Sequence, residues 1–222
     1  MALLVCLSLT CPAVHAAGKD KNPSISIYCM AYADGFKSVF VKSAKNHYQQ
    51  INLSTANIVE ASDLLVEDGR ILLYGPAGAD GQHPVVANAE IGAIRQPLIV
   101  LHPAGKDATP AYLSKAVEAD PAKFPLGSFN LVNLSPYPVR IDHEEEVIEL
   151  ESDGARIFKP DHSAGDSLAM RMDYKSGENW LLLSSARWPS RDDRRTLVCF
   201  QLDPASKRMN VKSVPLRENP GR

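Results

Sequence analysis

The densest chemistry in the chain is the run Arg187-Trp188-Pro189-Ser190-Arg191-Asp192-Asp193-Arg194-Arg195. Guanidinium groups beside an indole suit anionic sugars, phosphate or an acidic partner, because the fork donates in pairs and the ring stacks. Arg187, Trp188, Arg191, Arg194 and Arg195 are therefore the candidate binding set. The same residues also have a structural reading. Asp192 and Asp193 can neutralise two of the arginines, and the segment reads as a hairpin loop whose Trp188 packs on a sheet edge. A contact between this loop and the acidic stretch 144–151, in the same domain or a neighbouring molecule, is a further use for it.

A second group mixes imidazole with carboxylate. His143 stands beside Glu144, Glu145 and Glu146, and Asp161 and His162 follow in the next loop. Neutral imidazole and carboxylate oxygen are ligands for divalent cations, which makes His143, Glu145, Asp161 and His162 the candidate metal residues. The spacing favours the plainer reading of a solvated hairpin tip, since no histidine lies four apart on a helix or two apart on a strand from another. Asp161 and Asp166 flank a loop without the dense alternating oxygens of calcium loops. The sequence holds no G-x-S-x-G elbow, P-loop, H-E-x-x-H, C-x-x-C or dinucleotide glycine fingerprint. No catalytic residue and no cofactor is expected.

The elements that must position these residues are strands. In 124–160, Gly127 to Leu134 is rich in β-formers and stops at Ser135-Pro136, because proline cannot donate to a ladder. Val139 and Ile141 share one face, Arg140 and Asp142 the other, and Ile148 and Leu150 continue the inner face after the turn at 143–145. Ser152-Asp153-Gly154 predicts a tight turn on glycine's tolerance of positive φ, followed by Ala155 to Phe158.

Similar strands are predicted at Ser24 to Tyr32, Ser38 to Lys42, Tyr48 to Ser54 and Arg70 to Tyr74; Tyr112 to Glu118 reads as a short helix or a strand, and its brevity before Pro121 favours the strand. Later ones follow at Leu168 to Tyr174, Trp180 to Trp188, Thr196 to Leu202 and Met209 to Val214. Pro97 to His102 is continuously apolar and predicts a strand buried on both sides. Residues 75–82 predict a flexible loop with no apolar anchor. Strands of this length, with turns every eight to twelve residues, define an all-β chain of sandwiches or barrels.

The polar, proline-containing stretch from Glu118 to Lys123 divides the chain. The expected layout is a signal peptide at 1–17, immunoglobulin-like antiparallel β-sandwiches at 18–118 and 119–217, and a polar tail at 218–222. Asn52-Leu53-Ser54 followed by Asp68-Gly69 is echoed by Asn133-Leu134-Ser135 followed by Asp153-Gly154, either by chance or as the trace of a duplication. Both Asn tripeptides have the form of N-glycosylation acceptors, of use only in a eukaryotic secretory host.

Ala2 to Val14 is too short to span a bilayer and ends in small residues, the pattern of a cleaved export signal without its basic start. No other long apolar run exists, so a transmembrane segment is not expected in the mature chain. Cleavage leaves Cys29 and Cys199, which form either one disulfide or two separately buried thiols. With 24 basic and 26 acidic residues the net charge is -2, which gives no electrostatic basis for capturing nucleic acid.

Phe124-Pro125-Leu126-Gly127-Ser128 leading into Asn133-Leu134-Ser135, then Ser185-Ala186-Arg187-Trp188 and Arg194-Arg195-Thr196-Leu197-Val198, resemble uncharacterised exported proteins of verrucomicrobial-type environmental bacteria. The resemblance covers mainly the second half. It implies a signal peptide followed by two β-domains and carries no activity with it. In layout alone the chain is also similar to periplasmic β-sandwich adaptors of exopolysaccharide modification. The leading expectation is an exported, periplasmic or extracellular, non-catalytic interaction module that binds protein or polysaccharide of the envelope. The alternatives are a hydrolase or metal-dependent enzyme with a site between the domains, and a surface component that self-assembles through β-edges.

Overall fold

The computed structural model describes residues 24–33, 35–43, 47–161, 167–189 and 191–216. The expected signal peptide, the 218–222 tail, Asp166 and His162 lie outside the described residues. Every regular element among those described is a strand, and the strands form four four-stranded sheets.

The first sandwich contains β1 (Ile25–Cys29), β2 (Ser38–Lys42), β3 (Tyr48–Asn52), β4 (Val59–Ala61), β5 (Arg70–Tyr74), β6 (Val85–Glu90), β7 (Pro97–Pro103) and β8 (Tyr112–Glu118). The second contains β9 (Phe129–Asn133), β10 (Val139–His143), β11 (Glu146–Leu150), β12 (Ala155–Phe158), β13 (Ser167–Ser176), β14 (Asn179–Pro189), β15 (Arg195–Leu202) and β16 (Met209–Leu216). The first pairs as β4-β1-β7-β8 and β3-β2-β5-β6, the second as β12-β9-β15-β16 and β11-β10-β13-β14. Each set of pairings is antiparallel except one pair, β1 with β7 and β9 with β15. Both units share the sandwich architecture of immunoglobulin-like domains, with their own strand order.

Adding eight to every strand number of the first sandwich gives the second, so the two halves repeat one topology. The tripeptide echo is in the wrong register for this repeat. Asn52-Leu53-Ser54 follows the third strand of its unit, whereas Asn133-Leu134-Ser135 follows the first of its own. The segment 124–160 is likewise not a run of adjacent strands. Its β9 and β12 pair with each other in one sheet, and its β10–β11 hairpin belongs to the facing sheet.

Three apolar layers hold the sheets together. Ile25, Ile27, Ile99 and Leu101 point from β1 and β7 into the core of the first sandwich, with Val39, Val41, Ile71 and Leu73 opposite. Phe129, Leu131, Val198 and Phe200 do the same in the second, facing Val139, Ile141, Ile148 and Met172. Alternate residues of the same inner strands build a third core: Tyr28, Leu98, Val100, Val132, Leu197 and Cys199 meet between the two sandwiches. The inner sheets are therefore buried on both faces, which is why Pro97 to His102 and Leu197 to Phe200 carry no polar alternation.

Polar contacts finish this junction. Arg195 donates to the Ala119 carbonyl at 2.7 Å, Asn130 to the Glu118 carbonyl at 3.1 Å, and Lys212 to the Thr55 carbonyl at 3.1 Å. His102 Nε2 lies 3.0 Å from the Leu202 carbonyl, and Lys115 pairs with Asp153 at 3.0 Å.

Two local expectations change. The 75–82 loop has an anchor just beyond it, because the His83 ring stacks on Tyr48 at 4.1 Å and its Nδ1 bonds the Gly75 carbonyl at 2.7 Å. At the Ser152-Asp153-Gly154 turn the positive φ belongs to Asp153 (59°). Glycine is needed at 154 because a Cβ there would lie 2.8 Å from the Glu151 carbonyl oxygen.

Leu197 is fully buried in the shared middle core, so Leu197→Ala is expected to lower stability by about 2–5 kcal/mol. Calorimetry should show one transition for both halves before and after the change. Two separate transitions would contradict a shared core.

Candidate functional site

The chemistry collects on the outer face of β11-β10-β13-β14, the face turned away from the cores. Alternation puts Arg140 and Asp142 of β10 there, with Ala169, Arg171, Asp173 and Lys175 of β13, because their neighbours Ile141, Met170 and Met172 fill the core. The edge strand β14 adds Arg187 opposite Ala169 and Ser185 opposite Arg171.

A bulge then changes the parity of β14. Met172 faces Ser184 but Asp173 faces Leu182, which leaves Leu183 as the extra residue, packed inward. Beyond it Leu182 and Trp180 stand on the outer face. Trp180 and Trp188 are eight residues apart and would share a face in a regular strand. The bulge sends Trp180 outward, while Trp188 packs against Phe129 at 5.7 Å on the core side.

The centre of the face is a fully buried carboxylate. Asp173 accepts two parallel bonds from Arg171, Nε to Oδ2 at 2.9 Å and Nη2 to Oδ1 at 3.1 Å. Arg140 Nη2 stands 3.8 Å from the same Oδ2, while Arg140 Nε is 3.4 Å from Asp142. The Arg140 guanidinium also lies over the Trp180 ring at 4.8 Å. Hydrogen bonding from Arg171, and the charges of Arg171 and Arg140, hold Asp173 below the ordinary carboxylate range against the opposing effect of burial. Beside this network Asp142, Arg171, Ser185 and Arg187 line a shallow, open depression of about 340 Å³.

The predicted binding set is dispersed. Arg187 lines the depression and donates to Ser167 at 3.3 Å. Trp188 faces the core. Arg191 is exposed, and Arg194 pairs with its neighbour Asp193 at 3.2 Å. Arg195 is 8% exposed and clamps the junction, its guanidinium 5.6 Å from the Phe124 ring centre. The expected hairpin loop is instead a crossover, since β14 and β15 lie in different sheets.

The predicted metal residues do not converge. His143 is buried, with Nδ1 3.1 Å from the Ala169 carbonyl and its ring edge-on to Phe158. Glu145 is exposed at the β10–β11 turn, Asp161 is exposed in the following loop, and His162 is outside the described residues. Among the described residues no three His, Cys, Asp or Glu side chains gather as a metal site.

Cys29 and Cys199 are held as separate free thiols, in the first-sandwich core and the middle core. Burial pushes Cys29 up to about 11 and raises Cys199 as well, so both are poor nucleophiles at neutral pH. Asn133 is no glycan acceptor. It is fully buried and donates to the carbonyls of Tyr137 at 2.8 Å and Glu151 at 2.9 Å.

No family model and no curated protein matches the chain. Among solved structures it is similar to the Bacillus anthracis TIE protein at 12% identity and a TM-score of 0.23. That alignment covers 89% of this chain and 44% of the other, so the chain spans less than half of that protein's length. It is also similar to a candidate cell adhesion protein from Bacteroides eggerthii DSM 20697, at 7% identity, a TM-score of 0.22, and coverage of 88% and 96%. At these scores neither likeness bears on what the chain does. No helix among the described residues is long and apolar enough to cross a membrane.

Arg171→Ala would leave Asp173 buried with only the longer Arg140 contact, at an expected cost of about 1–3 kcal/mol at pH 7. A depressed folded pKa gives stability that is present above the unfolded value of about 3.9 and is lost as pH falls through the folded one. Urea unfolding should therefore show a gap between wild type and variant that closes with acidification. A gap of constant size would refute the role of the carboxylate.

Proposed function

We propose that the protein is an exported, non-catalytic interaction module that engages a partner of the cell envelope through the outer face of β11-β10-β13-β14. One observation carries this reading. The face joins exposed apolar surface, Leu182 at 58% and Val147 at 56%, to a locked Arg171–Asp173–Arg140–Trp180 network. An ordered guanidinium beside an indole has the composition of binding hot spots, where tryptophan and arginine are enriched, and the exposed leucine and valine add apolar area around it. The inner sheets have no free face to offer, so engagement falls to the outer ones.

Capture from native envelope extract with immobilised protein tests this reading. Arg187→Glu combined with Leu182→Lys is expected to reduce recovery of a stoichiometric partner by about tenfold or more, the equivalent of roughly 1.4 kcal/mol. Gln50→Ala, on an exposed strand of the first sandwich, should leave recovery unchanged. Equal recovery with both variants would move the interface elsewhere and overturn the assignment.

A further inference from the structure

Resting on that binding face, we infer that its ligand is an acidic polysaccharide, a chain of pyranose rings bearing carboxylates. The charge of the face is the first argument. On β11, β10, β13 and β14 the outward charged residues are Arg140, Arg171, Lys175 and Arg187 against Asp142, Glu149 and Asp173. That is an excess of one cation on a chain whose net charge is -2.

The two carboxylates nearest the depression do not confront a ligand freely, and Glu149 stands on β11, outside its lining. Asp173 has no exposed side-chain surface and is saturated by Arg171, and Asp142 is paired with Arg140 at 3.4 Å. Arg171 uses Nε and Nη2 on Asp173, which orients the guanidinium and leaves Nη1 outside that pair. Arg187 bonds Ser167 through Nη1 alone. Two oriented guanidinium groups, diagonal neighbours across the β13–β14 pair and so roughly 7–8 Å apart at the backbone, border one depression with the Ser185 hydroxyl. This is the arrangement that accepts a carboxylate and an adjacent sugar hydroxyl.

The shape of the face is the second argument. From Trp180 to Arg187 the edge strand runs roughly 20 Å at about 3.3 Å per residue. Apolar surface, Trp180 and Leu182, lies at one end and the guanidinium pair at the other. Arg140 takes one face of the Trp180 ring at 4.8 Å, and the other is the plane against which the apolar face of a pyranose ring would pack. The strip is shallow and open, which suits a chain passing over it rather than a single sugar enclosed by it. A polypeptide of acidic residues would satisfy the guanidinium groups but has no ring for Trp180.

Titration calorimetry with three polymers separates the sources of negative charge: polygalacturonate, its methyl ester, and polyglutamate. Polygalacturonate is expected to bind, and the uncharged ester to bind about tenfold or more weakly, since it lacks charge-assisted bonds. Polyglutamate should also trail by about tenfold or more, for want of stacking. Arg187→Glu and Trp180→Ala should each weaken polygalacturonate binding by a similar factor, with Trp180→Phe restoring most of it and all variants melting like wild type. Polyglutamate binding as tightly, with Trp180→Ala indifferent, would overturn the polysaccharide in favour of an acidic protein. Binding of none of the three also overturns it; the binding face itself survives if envelope capture still depends on Arg187 and Leu182, and falls with it if capture does not.

Discussion

Burial of two sheets on both faces is the constraint on which everything else depends. β1, β7, β9 and β15 must satisfy a core on each side, so the residues along them are apolar, small or paired by a specific bond, save Gln201, whose side-chain oxygen is buried without a hydrogen-bond partner. Most polar groups that enter these layers are tied down. Asn130 and Asn133 bond backbone carbonyls, and His102 reaches the Leu202 carbonyl across the junction. A buried polar group without such a partner would cost about 1–3 kcal/mol. The third core also removes the independence that two tandem sandwiches would otherwise have. What the chain can vary without disturbing a core are the outward faces of its two outer sheets.

Those outer sheets have diverged although the topology of the halves is the same. On the first, the β5–β6 loop folds back over the sheet and seats His83 among Phe40, Tyr48 and Tyr74. On the second, the equivalent face keeps a charged network and an exposed edge strand. A repeated scaffold thus presents one outer face partly covered by its own loop and one that no such loop covers among the described residues. That second face sets ordered cations next to apolar surface.

Much of the scaffold was legible in the sequence because strand period and turn chemistry are local. β2, β5, β8 and β12 lie at their expected bounds, and the inward set Val139, Ile141, Ile148 and Leu150 follows from alternation alone. β4 and β6 are not legible. The first is three residues long, and the second, Val-Val-Ala-Asn-Ala-Glu, has little β-propensity and is held by packing of Ala87 and Ala89 in the core. The site is legible only in part. Arg187 is singled out by its company, but its neighbour Trp188 turns inward, and the tryptophan on the outer face is Trp180. Only the bulge at Leu183 separates them, and no single residue in Trp180 to Ala186 announces it. The pairing of Arg171 with Asp173 has a fainter local signal, two opposite charges two apart on one strand. Its weight comes from burial, which depends on β10 and β14 lying on either side.

Native-state hydrogen exchange along the inner strands tests the shared core most directly. If the middle layer joins both sandwiches into one cooperative body, the amides of β7 and β15 exchange only through global opening, with the same free energy and the same denaturant dependence. A lower opening energy for β15 while β7 stays protected would mean that the second sandwich unfolds alone. The stack would then be two domains in contact, and the claim that only the outer faces are open to partners would fail.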